Sequence, residues 1–229
     1  MARVLVVGDL HIPATRPLYL EFCKDIYKKW KCNKVVFIGD IIDWHSISFH
    51  VREPNCPGPK DEYELAKEGV SVWYKAFPTS LVAIGNHDER PARLAKTVSI
   101  PEFMILPYDK LWNTPKWKWE FSHEIDGVHY RHGTNISGIH PAWNLMNKLH
   151  CSVVIGHCHS RAGIKWSVNK FQRFFAMDVG SGISEKEWQF AYGRDLVERP
   201  ISSCGVVING HPYLELCPIS KGEKYYTQN

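Results

Sequence analysis

Four short apolar runs in this chain each stop at a glycine, and each glycine is followed at once by Asp, Asn or His. Residues 2–7 (ARVLVV) run into Gly8-Asp9-Leu10-His11, and 34–38 (KVVFI) into Gly39-Asp40-Ile41-Ile42-Asp43. Residues 80–84 (SLVAI) run into Gly85-Asn86-His87-Asp88-Glu89, and 152–155 (SVVI) into Gly156-His157-Cys158-His159. Continuous apolar runs of this length read as strands buried on both faces, the habit of parallel sheets. Between the first three lie helical patterns. Leu18, Phe22, Ile26 and Trp30 share one face over 16–30, and 61–77 begins with acidic residues. The β-α-β-α-β rhythm predicts parallel strands with helical crossovers. In such sheets ligands bind beyond the carboxyl ends of the strands, so the four clusters are expected to meet in space.

The second half changes character. Residues 116–122 (KWKWEFS) alternate, and 127–131 (GVHYR) read as their hairpin partner across Asp126-Gly127, delivering His132-Gly133. A helix is expected near 141–149, strands at 163–168 and 172–178, and a hairpin of 204–208 with 212–216 across Asn209-Gly210. With 229 residues, no internal repeat and no linker, the chain reads as one α/β domain containing two sheets.

Asp9, Asp40, Asp43 and Asp88, gathered with several imidazoles in a partly buried cleft, would repel one another at a high desolvation cost unless cations balanced them. A mixed Asp, Asn and His donor set suits Mn²⁺, Fe, Zn²⁺ or Ni²⁺ better than an all-oxygen Mg²⁺ or Ca²⁺ cage. Asp-x-His, Gly-Asp-x-x-Asp, Gly-Asn-His-Asp, a His before Gly, and Gly-His-x-His occur in that order from Asp9 to His159. Each is weak alone. Together they resemble the calcineurin-like metallophosphoesterase superfamily.

That resemblance implies a four-layer α/β/β/α sandwich of two mixed sheets flanked by helices, with two divalent ions, Mn²⁺ foremost, at the sheet ends. Asp9, His11 and His159 would hold one ion, Asn86, His132 and His157 the other, and Asp40 would bridge them. His87 would stand beside the leaving-group oxygen, oriented by Asp43. Two ions about 3.5–4 Å apart acidify a bridging water, and the hydroxide attacks phosphorus in line. The chain departs from the protein serine/threonine phosphatases, which place Arg-Gly after the second Asp; here Trp44-His45 follows Asp43. Only about 70 residues follow His159, too few for the long cap of the break-repair nucleases in the superfamily. The expected substrates are small or nucleotide-like phosphomono- or phosphodiesters. The alternative within enzymes is a nuclease on single-stranded ends or flaps, since aromatics and modest positive charge suit single strands. From another class, a non-catalytic scaffold is disfavoured because every motif position is filled.

Other residues carry weaker signals. Trp44, His45 and His50 either line the substrate pocket or pack within their own loop. Arg161 and Arg131 neighbour ligand positions and either grip phosphate or alternate away from it. Cys158 should point opposite to His157 and His159. His123, His129, His140, His150 and His211 have no motif. Segments 45–62 and 183–202 are the expected substrate cap. The net charge of +4, from 28 Lys and Arg against 24 Asp and Glu, lacks the dense basic stripe of a DNA-coating protein, so nucleic acid is not the favoured partner. No run is long enough for a membrane span, no secretory signal opens the chain, and the odd count of 7 Cys suits reduced thiols. The expected location is the cytoplasm.

Overall fold

A computed structural model describes residues 1–184 and 198–218. The first half builds β1 (Arg3–Val7), α1 (Tyr19–Lys29), β2 (Lys34–Phe37), α2 (Pro59–Ala76), β3 (Leu81–Ala83), α3 (Arg90–Thr97), α4 (Tyr108–Leu111) and β4 (Lys118–Glu120). The second half adds β5 (Ser122–Ile125), β6 (Val128–Arg131), α5 (Pro141–Leu149), β7 (Ser152–Ile155), β8 (Ala162–Val168), β9 (Arg173–Val179), β10 (Ser203–Ile208) and β11 (His211–Leu216). Among the described residues these strands form a six-stranded sheet, β11-β10-β1-β2-β3-β4, and a five-stranded sheet, β5-β6-β7-β9-β8. In the first sheet β1 to β4 run parallel, and in the second β6, β7 and β9 do.

Strand alternation creates the layers. In β1, Val4 and Val6 turn inward to a core with Val36, Ile38, Tyr130, Val154 and Met177 between the two sheets. Leu5 and Val7 turn outward against Phe22 and Cys23 of α1 and Val70 and Trp73 of α2. On the far side, Leu145 and Met146 of α5 cover Val153, Ile155 and Ala176. The result is the expected four-layer α/β/β/α sandwich of two mixed sheets. Because β1 is covered on both sides, its alternation is invisible in sequence, and it reads as an unbroken apolar run.

One expected pairing is corrected. The 116–122 run is not a single strand partnered by 127–131. Lys118–Glu120 joins the first sheet beside β3, while Ser122–Ile125 pairs with β6 in the second. The Asp126-Gly127 turn sets Ile125 opposite Val128, and this register brings Ser122 opposite Arg131 and ends there. The chain therefore changes sheet at Phe121, which is exposed.

In the expected cap, residues 45–58 form a loop with a single 3₁₀ turn at His45–Ile47, and the rest of 45–62 belongs to α2. The fully buried Glu62 holds this loop, accepting from the His45 and Ser46 N–H groups at 2.7 and 2.8 Å. Of the second expected cap segment, 183–202, residues 185–197 lie outside the described residues. All seven cysteines are free, and no helix among the described residues is long and apolar enough to cross a membrane.

Candidate metal centre

Asp9 follows β1, Asp40 and Asp43 follow β2, Asn86 and His87 follow β3, His132 follows β6, and His157 and His159 follow β7. These strands are parallel within each sheet, so their carboxyl ends lie at one edge and bring residues from position 9 to position 159 together. Three overlapping groups each place their ligating atoms within 4.8 Å of one another: Asp9, His11 and His159; His11, Asp40 and His87; and Asp40, His132 and His157. Asn86 joins through its Oδ1, 3.1 Å from His132 Nε2.

The glycines that precede these residues make the approach sterically feasible. A Cβ on Gly85 would lie 2.1 Å from Asp40 Oδ1, and one on Gly156 would lie 2.2 Å from Asp9 Oδ1. The backbone also bends into unusual conformations: His11, Asp40 and His157 have φ of 48°, 46° and 71°. Left-handed backbone outside glycine costs on the order of 1–3 kcal/mol and persists where surroundings enforce it. Here the enforcement is a ring of hydrogen bonds. The Leu10 and His11 N–H groups donate to the Asp40 carbonyl at 3.1 and 2.9 Å, and the Gly182 N–H donates to the Asp9 carbonyl at 2.8 Å. The His87 N–H donates to Asp40 Oδ1 and the His157 N–H to Asp9 Oδ2, both at 2.8 Å.

Ring hydrogen bonds decide which imidazole nitrogen faces inward. His11 Nδ1–H donates to Asp43 Oδ1 at 2.7 Å, leaving the Nε2 lone pair 3.1 Å from His159 Nε2 and 3.7 Å from Asp40 Oδ2. His132 Nδ1–H donates to the Ile38 carbonyl at 3.0 Å, which turns Nε2 toward Asp40 Oδ2 and Asn86 Oδ1, each 3.1 Å away. His159 Nε2 lies 3.1 Å from Asp9 Oδ2. Asp9 Oδ1, fully buried, has no hydrogen-bond partner. Lone pairs facing lone pairs repel unless a cation or a proton stands between them. The donor set therefore fits divalent metal, with the second nitrogen of His11 fixed by a carboxylate and that of His132 by a carbonyl, as is usual for metal-ligating histidines.

Titration behaviour records the same crowding. Burial depresses the His132 pKa, but Asp40 and then Asp9 outweigh it and carry it to about 10. For Asp40, burial is opposed by His132, His87 and His11, which hold it well below the usual carboxylate range. Burial, His87 and His159 lower His11 despite Asp43, and burial and His132 lower His157.

His87 sits at the rim of this cluster. Its Nδ1–H donates to the Asp43 carbonyl at 2.8 Å, with Asp43 Oδ1 at 3.1 Å, and its Nε2 lies 4.0 Å from Asp40 Oδ2. Asp43 thus touches both His87 and His11, a double role that motif spacing does not reveal. Sequence reasoning also missed Arg90, a buried guanidinium at the start of α3. It donates to the Asp43 and Trp44 carbonyls at 2.7 and 3.0 Å, and its Nη2 lies 3.1 Å from His87 Nε2. The available signal was its spacing three residues after His87. Asp88, expected among the converging carboxylates, instead accepts from the Ile42 and Gly85 N–H groups at 3.2 and 2.9 Å and ties the β2 and β3 loops together. Burial, and then Asp40, push its pKa to about 7.

Of the candidate pocket residues, His45 and Arg161 each have a partner within the chain. His45 is buried, and its Nε2 accepts from the Glu53 N–H at 3.1 Å. Arg161 pairs with Glu198 at 2.7 Å. Trp44 packs against Tyr63 and Trp112, so for this residue the loop-packing reading describes the geometry.

The motif order, the four layers and the convergent donor set define a metallophosphoesterase fold. The chain belongs to the calcineurin-like phosphoesterase family, whose family model matches residues 2–211. It is 26% identical to the "Gene 54 protein" of Mycobacterium phage D29, over 96% of this chain and 94% of that one. Among solved structures it is similar to a metallophosphoesterase from Sphaerobacter thermophilus, with 15% identity, TM-score 0.46, and coverage of 95% of this chain and 88% of that one. It is also similar to Vacuolar Protein Sorting 29 from Cryptosporidium parvum, with 15% identity, TM-score 0.45, and coverage of 96% and 98%.

Proposed function

We propose that this chain hydrolyses phosphate esters, with small or nucleotide-like phosphomono- or phosphodiesters as substrates. Asp9, His11 and His159 would hold one divalent ion, Asn86, His132 and His157 would hold a second, and Asp40 would contribute to both. Mn²⁺ is the leading choice, with Fe, Zn²⁺ or Ni²⁺ as substitutes. The observation that carries the reading is the inward aim of His11 Nε2, His132 Nε2 and His159 Nε2 at the buried carboxylate oxygens of Asp40 and Asp9.

When bound, such ions supply Lewis-acid charge and water activation for displacement at phosphorus. The chain's own residues do the rest. Asp43 holds His11 and His87 in fixed orientation, and Arg90 pins the Asp43–Trp44 backbone against which His87 is set. His87 donates a proton to the departing oxygen. Burial disfavours its charged form, but Asp40 and Asp43 outweigh burial and raise its pKa above the ordinary imidazole value. That shift favours the donating form near neutral pH.

The test is turnover of p-nitrophenyl phosphate and bis-p-nitrophenyl phosphate with each of the four metals. Hydrolysis should vanish with chelator and return with metal. His87→Ala should lower kcat by about 10²–10⁴-fold while metal content stays constant. Failure to turn over either ester, or any nucleotide, under all four metals would overturn the proposal.

A further inference from the structure

Beside the metal nest, a cleft of about 300 Å³ opens on the outer face of the second sheet, between the start of α5 and edge strand β8. Ile139 and Trp143 form its apolar wall, Arg161 and Lys165 stand at its rim, and Ala176 and Asp178 lie beneath. Asp178 is only 5% exposed. Its Oδ1 accepts the Gly180 N–H at 3.3 Å, and its Oδ2 has no protein partner. A buried polar atom left unpaired costs roughly 1–3 kcal/mol, so its retention beneath an open cleft points to a ligand group that completes it. The position of the cleft ties it to the nest. Ser160 and Arg161 at its rim directly follow His159, and Asp178 pairs in register with Ile155, two residues before His157.

We propose that this cleft is the subsite for the base of a nucleotide substrate. The flat ring lies along Trp143 and presents an N–H edge to the free Asp178 oxygen while the phosphate sits in the nest. A single ring system suits the volume, which stands at the lower end of the roughly 300–1,000 Å³ typical of small-molecule pockets. An aromatic wall binds such a ring, and a few polar groups, Asp178 among them, fix its orientation. The subsite deepens the phosphoesterase reading above and rests on it.

Gly163 supplies the test. It stands directly opposite Asp178 in the β8–β9 register, so a side chain there shares Asp178's face, and a Cβ on it meets nothing within 4 Å. Gly163→Phe should therefore fill the cleft without disturbing the fold or the nest. With metal-loaded full chain, we expect kcat/KM for the p-nitrophenyl ester of thymidine 5′-phosphate to fall at least about tenfold, while that for bis-p-nitrophenyl phosphate stays within about twofold. Asp178→Asn, which preserves shape, should raise KM for the nucleoside ester and leave kcat unchanged. Equal losses on both substrates, or no loss on either, would overturn the subsite. If the wild-type chain hydrolyses nothing, the phosphoesterase reading has failed, and the cleft is then judged by saturation-transfer NMR with adenosine on metal-free chain. A signal abolished by Gly163→Phe supports the subsite; no signal, or one that survives the substitution, removes it.

Discussion

The two ends of the same sheets use left-handed backbone for different purposes. At the end away from the metal nest, β5 turns into β6 through Asp126-Gly127 and β10 into β11 through Asn209-Gly210, with φ of 50°, 76°, 53° and 74°. Asp, Asn and Gly adopt this conformation at low cost, and the two-residue turn matches the twist of the strands. Asp126 also accepts the Ala2 N–H at 2.7 Å, which ties the chain start to the turn. At the nest end, the residues with positive φ include His11, Asp40 and His157, whose side chains converge on a buried charge cluster. One end uses positive φ to close a hairpin cheaply. The other accepts strain and desolvation to aim side chains, a trade typical of functional sites.

Substituting Asp40 tests that contrast most severely. Asp40 belongs to two of the three ligand groups, so Asp40→Asn should reduce hydrolysis to background and lower bound metal measured by atomic absorption. Its melting temperature should differ from wild type more in metal than in chelator, because the lost contribution is metal-linked. Retained activity with full metal content would erase the distinction between the two ends. A smaller effect is expected at Asp43, which touches both His11 and His87. Asp43→Asn should lower kcat or metal affinity by about 10–100-fold, the usual range for a group that orients a metal ligand. Partial recovery at high metal concentration separates its hold on His11 from its hold on His87.

The pH dependence of the metal-free chain follows from the same crowding. His132 is raised from 6.5 to about 10, so the stability it contributes is full below pH 6.5 and is lost as pH rises through about 10. Asp88, raised from 3.8 to about 7, acts in the same direction at lower pH: its contribution fades as pH rises through about 7. Asp40 and Asp43 are held low, so theirs is present above the ordinary carboxylate value and is lost only in acid. In chelator, the urea midpoint should fall between pH 7 and pH 10. With saturating metal the fall should flatten or reverse, because ligation requires His132 without its Nε2 proton. A midpoint independent of pH in chelator would show that the His132–Asp40 contact does not hold a proton.

Much of the nest was legible because its signal is local. Each of its residues stands within four positions of a strand end, and parallel strands bring those ends to one edge, so five weak motifs sufficed to bring Asp9, His11, Asp40, Asn86, His132, His157 and His159 together. What escaped depends on tertiary context. Alternation over 116–122 is the same whichever sheet receives it, and the change of sheet at Phe121 has no marker in residue type. The short helices α3 and α4 between 90 and 111 lack a sustained apolar stripe. Arg90 is a buried cation in a polar segment whose composition predicts exposure, and Asp178 is a lone carboxyl at the end of an apolar strand; only packing reveals that one steadies His87 while the other floors a cleft. Asp43's bond to His11 spans 32 positions, and motif spacing assigns it to His87 alone.

The mildest probe of the comparison is Gly127→Ala in the hairpin turn. Gly127 has φ of 76°, and a Cβ there would meet nothing within 4 Å, so the substitution adds backbone strain without a clash. Left-handed backbone costs a residue with a Cβ about 1–2 kcal/mol, and global stability should fall by that amount in chemical denaturation. Hydrolysis by the folded enzyme should stay within about twofold of wild type, because additivity holds for distant sites that share no partners. A substantial loss of kcat in the fully folded variant would show that the two ends are mechanically coupled through β6, whose far end delivers His132, and that the hairpin positions the nest as well as closing the sheet.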